Sequence, residues 1–132
     1  GLGDVYKRQV HVKGALFSCG DGHACQADGE ADGTGFETPL TGIFTFMVRN
    51  DMHLTRPRAE SFTHFITIGF HKDLRSAAET VIRDMIDFLI EKKDLSFRDA
   101  YILVSLVGEL HVSQLVNEIS GVHFMLPKNV FE

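Results

Sequence analysis

The stretch DLRSAAETVIRDMIDFLIEKKDL, residues 73–95, constrains the fold more than any other part of the chain. Its apolar residues Ala77, Ala78, Val81, Ile82, Met85, Ile86, Leu89 and Ile90 recur at helical spacing, with Arg, Asp and Glu on the other face. A helix striped in this way must lay its apolar side on another layer, with Val81, Met85 and Leu89 as core. The flanking segments supply that layer. HFITIGF (64–70) before the helix, and ELHVSQLV (109–116) and VHFMLP (122–127) after it, have the β-branched and aromatic content of strands. Between them SFRDAYILVSLVG predicts a second helix, with Ser96 as N-cap, Asp99 completing an approximate capping box and Gly108 as its stop.

Further strands are expected at Val10–Phe17 (VHVKGALF) and Gly42–Asp51 (GIFTFMVRND), with a shorter edge strand in MHLTRPRAE, where Pro57 interrupts the ladder. Strands and helices are grouped rather than alternating. The fold class is therefore α+β, mainly antiparallel strands with two helices in the C-terminal half. Residues 1–9, GLGDVYKRQ, read as an adaptor-derived string and are set aside from fold reasoning.

At 132 residues and 44% hydrophobic content the chain suffices for one folded domain. Its net charge of −5 argues against nucleic acid, where basic side chains supply affinity. No apolar run approaches the roughly 20 residues of a membrane helix. Cys19 and Cys25 make no disulfide framework and read as reduced, buried thiols of a cytoplasmic protein.

The chemistry concentrates in GDGHACQADGEADG, Gly20–Gly33. No Lys or Arg lies between Lys13 and Arg49, yet Asp21, Asp28, Glu30, Asp32 and Glu37 all do. These carboxylates repel one another unless water or a cation intervenes. On extended backbone Asp28, Glu30 and Asp32 project together, and Asp21 and His23 share that spacing. Oxygen ligands suit calcium or magnesium, and a histidine among them admits zinc. Gln26 could hold an amide through its own amide group. Composition alone equally describes a solvated surface loop. An EF-hand is rejected, because Pro39 stands where the twelfth-position Glu belongs. His64 shares a face with Ile66 and Ile68 and reads as a core or rim residue. His11, His53, His71, His111 and His123 show no paired ligand spacing, and Arg56, Arg58 and Glu60 read most simply as a solvated charge cluster, with Glu60 able to face a cleft.

GALFSCGDGHACQADGE resembles the signature of the acetamidase/formamidase family, and RPRAESFTHFITIGF, the helical region and GVHFMLPKNVF resemble its later blocks. The resemblance covers residues 10–132, as the C-terminal part of a larger β-rich amidase domain. It implies hydrolysis of formamide, acetamide or similar short amides to carboxylate and ammonia, by water activated on a divalent metal, zinc and/or calcium. It also implies a homo-oligomeric full-length enzyme and a fragment inactive alone. Carried onto the signature, it gives Asp21, His23 and Asp28 as metal ligands, Glu30 as the proton acceptor and Gln26 as the residue that orients the amide. Glu37 and His64 form a second tier. Two departures stand out: Ala27 where glycine is usual, and His111 where arginine is commoner. The alternatives are a thiol amidase using Cys25 and a non-catalytic metal-binding module.

Overall fold

The computed structural model describes residues 4–132. Its centre is a five-stranded antiparallel sheet built from β1 (Val5–Lys7), β4 (Arg58–Glu60), β5 (His64–His71), β6 (Glu109–Gln114) and β7 (Ser120–Pro127), in the spatial order β1-β4-β5-β7-β6. The acidic stretch contributes a separate two-stranded sheet of β2 (His23–Cys25) and β3 (Phe36–Glu37). The helices are α1 (Leu74–Lys93) and α2 (Phe97–Val107), and a 3₁₀ turn at Lys128–Phe131 closes the chain.

Both helices begin where the sequence places them. The Asp73 carboxylate accepts from Ser76 N–H at 2.8 Å, and Lys92 and Lys93 sit at the negative end of the α1 dipole. For α2, the Ser96 hydroxyl accepts from Asp99 N–H and donates to the Asp99 carboxylate. The α1 stripe is core as expected: Val81, Met85 and Leu89 are wholly buried, joined by Phe88. Each such side chain contributes about 1.5–3 kcal/mol by leaving water.

The helices cover one face of the sheet, packing on Val122, Phe124 and Leu126. Gly69 lets α1 come close, since a Cβ there would stand 2.6 Å from Val81 Cγ1. The Thr67 hydroxyl, buried on this face, donates to the Val81 carbonyl at 2.7 Å. Because directly paired residues share a face, the opposite side carries Ile66, Ile68, His111, His123 and Met125. That open face receives the acidic stretch.

The expected strands at Val10–Phe17 and Gly42–Asp51 are not formed. Gly14, Ala15 and Leu16 take positive φ (83°, 58° and 52°), which ends any extended run, and Ala15 N–H closes a turn on the Val12 carbonyl. Periodicity proposes a strand but a ladder needs a partner, and neither segment finds one among the described residues. Their aromatics instead gather as Phe17, Phe44 and Phe46, with ring centroids 4.7–6.3 Å apart. Of MHLTRPRAE only Arg58–Glu60 pairs, starting just after Pro57.

Two further expectations are corrected. Cys19 and Cys25 are exposed, not buried, because they lie in a segment with little packing. Arg56, Arg58 and Glu60 do not form one solvated cluster but reach different partners: Asp84 and Glu91 of α1, and Lys7 with Lys128. Val5–Lys7, set aside in the sequence reading, pairs with β4 as the edge strand.

Candidate functional site

His23 organises the first group. It stands at the head of β2, directly opposite Glu37 of β3. Its Nδ1 lies 2.8 Å from the Asp21 carbonyl oxygen, so Nδ1 carries a hydrogen and Nε2 turns inward. That Nε2 is buried and makes no hydrogen bond. Two carboxylate oxygens nevertheless crowd it: Glu37 Oε1 at 2.7 Å and Glu30 Oε1 at 3.3 Å. Only a proton on the ring or a cation between these groups relieves the repulsion among three lone-pair donors. The Asp21 carbonyl and the surrounding carboxylates push the His23 pKa up, against the effect of burial.

The backbone is bent to make this cluster. Asp21 and Glu30 both adopt positive φ (62° and 45°), uncommon outside glycine. Gly35 passes so close beneath the imidazole that a Cβ would stand 2.5 Å from His23 Cδ2 and 2.7 Å from the Cys25 carbonyl oxygen. Glu30 is 8% exposed, and its other oxygen accepts from Gln114 Nε2 at 3.2 Å. Asp28, Glu30 and Asp32 do not project together, because Gly29 (φ +85°) and Glu30 turn the chain between them. Glu30 N–H closes that turn on the Ala27 carbonyl. Ala27 itself stays out of the left-handed region, so the side chain in place of glycine is accommodated.

Asp28 forms a second group with the sheet. Its Oδ2 lies 2.6 Å from His111 Nδ1. His111 pairs in register with His123 across β6 and β7, and their rings stack at 5.0 Å and 7°. Asp28, and to a lesser degree Glu109, raise the His111 pKa. Burial, with His111 beside it, lowers that of His123. The loop is fixed to the sheet by Gly29, whose N–H donates to the Val112 carbonyl and whose carbonyl accepts from Leu115 N–H.

The expected ligand set Asp21, His23 and Asp28 is thus divided between two groups, Asp21–His23–Glu37 and Asp28–His111–His123. Gln26 lines an open depression of about 400 Å³ with Cys25, Glu30, Thr34 and Gly35. The cavity between β4, β5 and α1 holds about 30 Å³, room for one or two waters. His64 lies at the far end of β5, opposite Pro127 and bonded to the Thr63 hydroxyl. Gln114 carries no signal in the sequence, and His111 and His123, set down there as unpaired, come face to face once ELHVSQ is aligned against GVHFMLP as a hairpin.

The acetamidase/formamidase family model matches residues 3–132. This chain belongs to the acetamidase/formamidase family. No curated protein matches it. Solved structures similar to it include an acetamidase from Bacillus halodurans, at 29% identity and a TM-score of 0.65 over 83% of this chain and 37% of that one. An acetamidase from Yersinia enterocolitica gives 28% identity and a TM-score of 0.73 over 83% of this chain and 33% of that one. This family member therefore spans about a third of the length of the solved acetamidases it matches. Its mixed, mainly antiparallel architecture corresponds to that portion of the fold. No helix among the described residues is long and apolar enough to cross a membrane.

Proposed function

We propose that this chain supplies the acidic part of an active site that hydrolyses the C–N bond of short linear amides, formamide or acetamide, to carboxylate and ammonia. The observation that carries the reading is the buried, unbonded His23 Nε2 facing the Glu37 and Glu30 carboxylates. A ligating histidine typically donates its other ring N–H to a carbonyl, the contact His23 makes with Asp21. Asp21, His23 and Glu37 would hold the ion, and one imidazole among carboxylates suits zinc better than calcium. A bound ion of that class acidifies water and polarises an amide carbonyl.

The remaining roles fall to this chain's own groups. Glu30, buried and steadied by Gln114, accepts the proton of the attacking water and returns it to the departing nitrogen. Gln26, on the wall of the open depression, orients the amide through complementary hydrogen bonds. The rest of the length of such an enzyme completes the site, and we infer a cytoplasmic homo-oligomer in which this chain alone is inactive.

The test is ammonia release from formamide and acetamide by the full-length protein carrying these residues. Glu30→Gln should lower kcat roughly 10²–10⁴-fold, as loss of a general base does. His23→Asn should abolish activity, and Cys25→Ala should leave it intact, which separates this reading from a thiol amidase. Full turnover by Glu30→Gln, or no ammonia from any short amide, overturns the assignment.

A further inference from the structure

Asp28, His111 and His123 share no residue with the His23 group. We propose that they form a second binding site, for a divalent transition ion of the zinc class, which ties the acidic loop to the β6–β7 hairpin.

The hairpin register sets both imidazoles on the open face of the sheet, and their stacked rings, 5.0 Å and 7° apart, must rotate for both in-plane lone pairs to meet one ion. Asp28 enters from the loop and reaches His111 Nδ1 at 2.6 Å. One donor atom from each of the three residues lies within 4.8 Å of the other two. Two imidazoles and one carboxylate, with room left for water, are the donor set of an open zinc site. Calcium and magnesium, which take oxygen ligands, are disfavoured by the same set.

The surroundings are those of a prepared site. The Ser113 hydroxyl lies 2.7 Å from His123 Nδ1, which fixes that ring and leaves Nε2 as its donor. Glu109 lies 3.5 Å from His111 Nε2 and adds a second carboxylate. The two Gly29 backbone hydrogen bonds hold Asp28 at the hairpin before any ion arrives. An ion has a way in, because the Asp28 side chain is 59% exposed and that of His111 31%. Nothing here depends on the reaction assigned to the His23 group.

The experiment strips the full-length protein with chelator and titrates it with Co²⁺, whose visible absorption reports imidazole coordination. Zn²⁺ and Ca²⁺ are then tested as competitors. Asp28→Asn, a nearly isosteric change on an exposed loop, and His123→Asn should each weaken one cobalt-binding event at least ~10-fold. His23→Asn should leave that event unchanged, and Zn²⁺ but not Ca²⁺ should displace the cobalt. Wild-type binding by both Asp28→Asn and His123→Asn overturns the proposal, as does equal competition by Ca²⁺ or no cobalt binding by a protein with its native circular dichroism. If only His23→Asn is silent, the ion assigned to the other group fails and this one stands.

Discussion

The chain divides into two regions that obey the same chemistry with different results. From Arg58 onward every strand has a partner in the sequence at hand, and the helices lie on the sheet they were patterned for. From Val10 to Pro57 the residues are comparably apolar, yet Phe17, Phe44, Phe46 and Val48 stay largely exposed and regular structure is confined to two short strands. Apolar content does not fold a segment. A surface to cover and a ladder to complete do. The acidic group stands at the seam, borrowing rigidity from the second region through Gly29 and Gln114.

That contrast can be broken by substitution. The largest effect is expected from Leu89→Ala, which empties a wholly buried position and should cost about 2–5 kcal/mol in denaturant unfolding. Phe44→Ala, at 52% exposure, should cost far less. Equal losses would mean that the first region shares the core after all.

A smaller effect is expected at the seam. Gly35→Ala pushes a methyl against His23 and the Cys25 carbonyl, and overpacking of this kind costs about 1–3 kcal/mol. The damage should be local, visible as a shifted His23 ring resonance while the signals of α1 stay in place. An unmoved His23 resonance would show the backbone there to be looser than described.

The smallest effect is electrostatic. Lys128 first, and Lys7 with it, hold the Glu60 carboxyl below its ordinary range. A depressed folded pKa contributes stability that is present above the unfolded value and lost as pH falls through the folded one. The melting temperature should therefore decline on acidification below the usual glutamate pKa, and Glu60→Gln should flatten that decline. An unchanged slope would show that β1 and the C-terminal turn do not depend on this carboxylate.

Much of this architecture is legible in the residues. The 3.6-residue stripe of α1, the Ser96 cap and the β-branched run of β5 each declare themselves locally, because burial imposes a period. The acidic signature declares its family by resemblance. Its grouping is not legible. Asp21 and Glu30 reach His23 only through left-handed backbone, which no alternation rule anticipates for non-glycine residues. Asp28 leaves the set because its partner is 83 residues away along the chain. The strands expected around Val10 and Gly42 show the converse: period without a neighbour specifies nothing.

The attachment of Gly29 to Val112 and Leu115 reaches further than two hydrogen bonds suggest. It turns the hairpin into a lever whose inner arm rests on the helices and whose outer arm carries the buried glutamate. Repacking beneath Phe124 or Val104, on the opposite side of the sheet, should shift that arm and with it the carboxylates around His23. Variants selected for tolerance in the helical layer are thus the place to look for a changed spacing between Glu30 and His23.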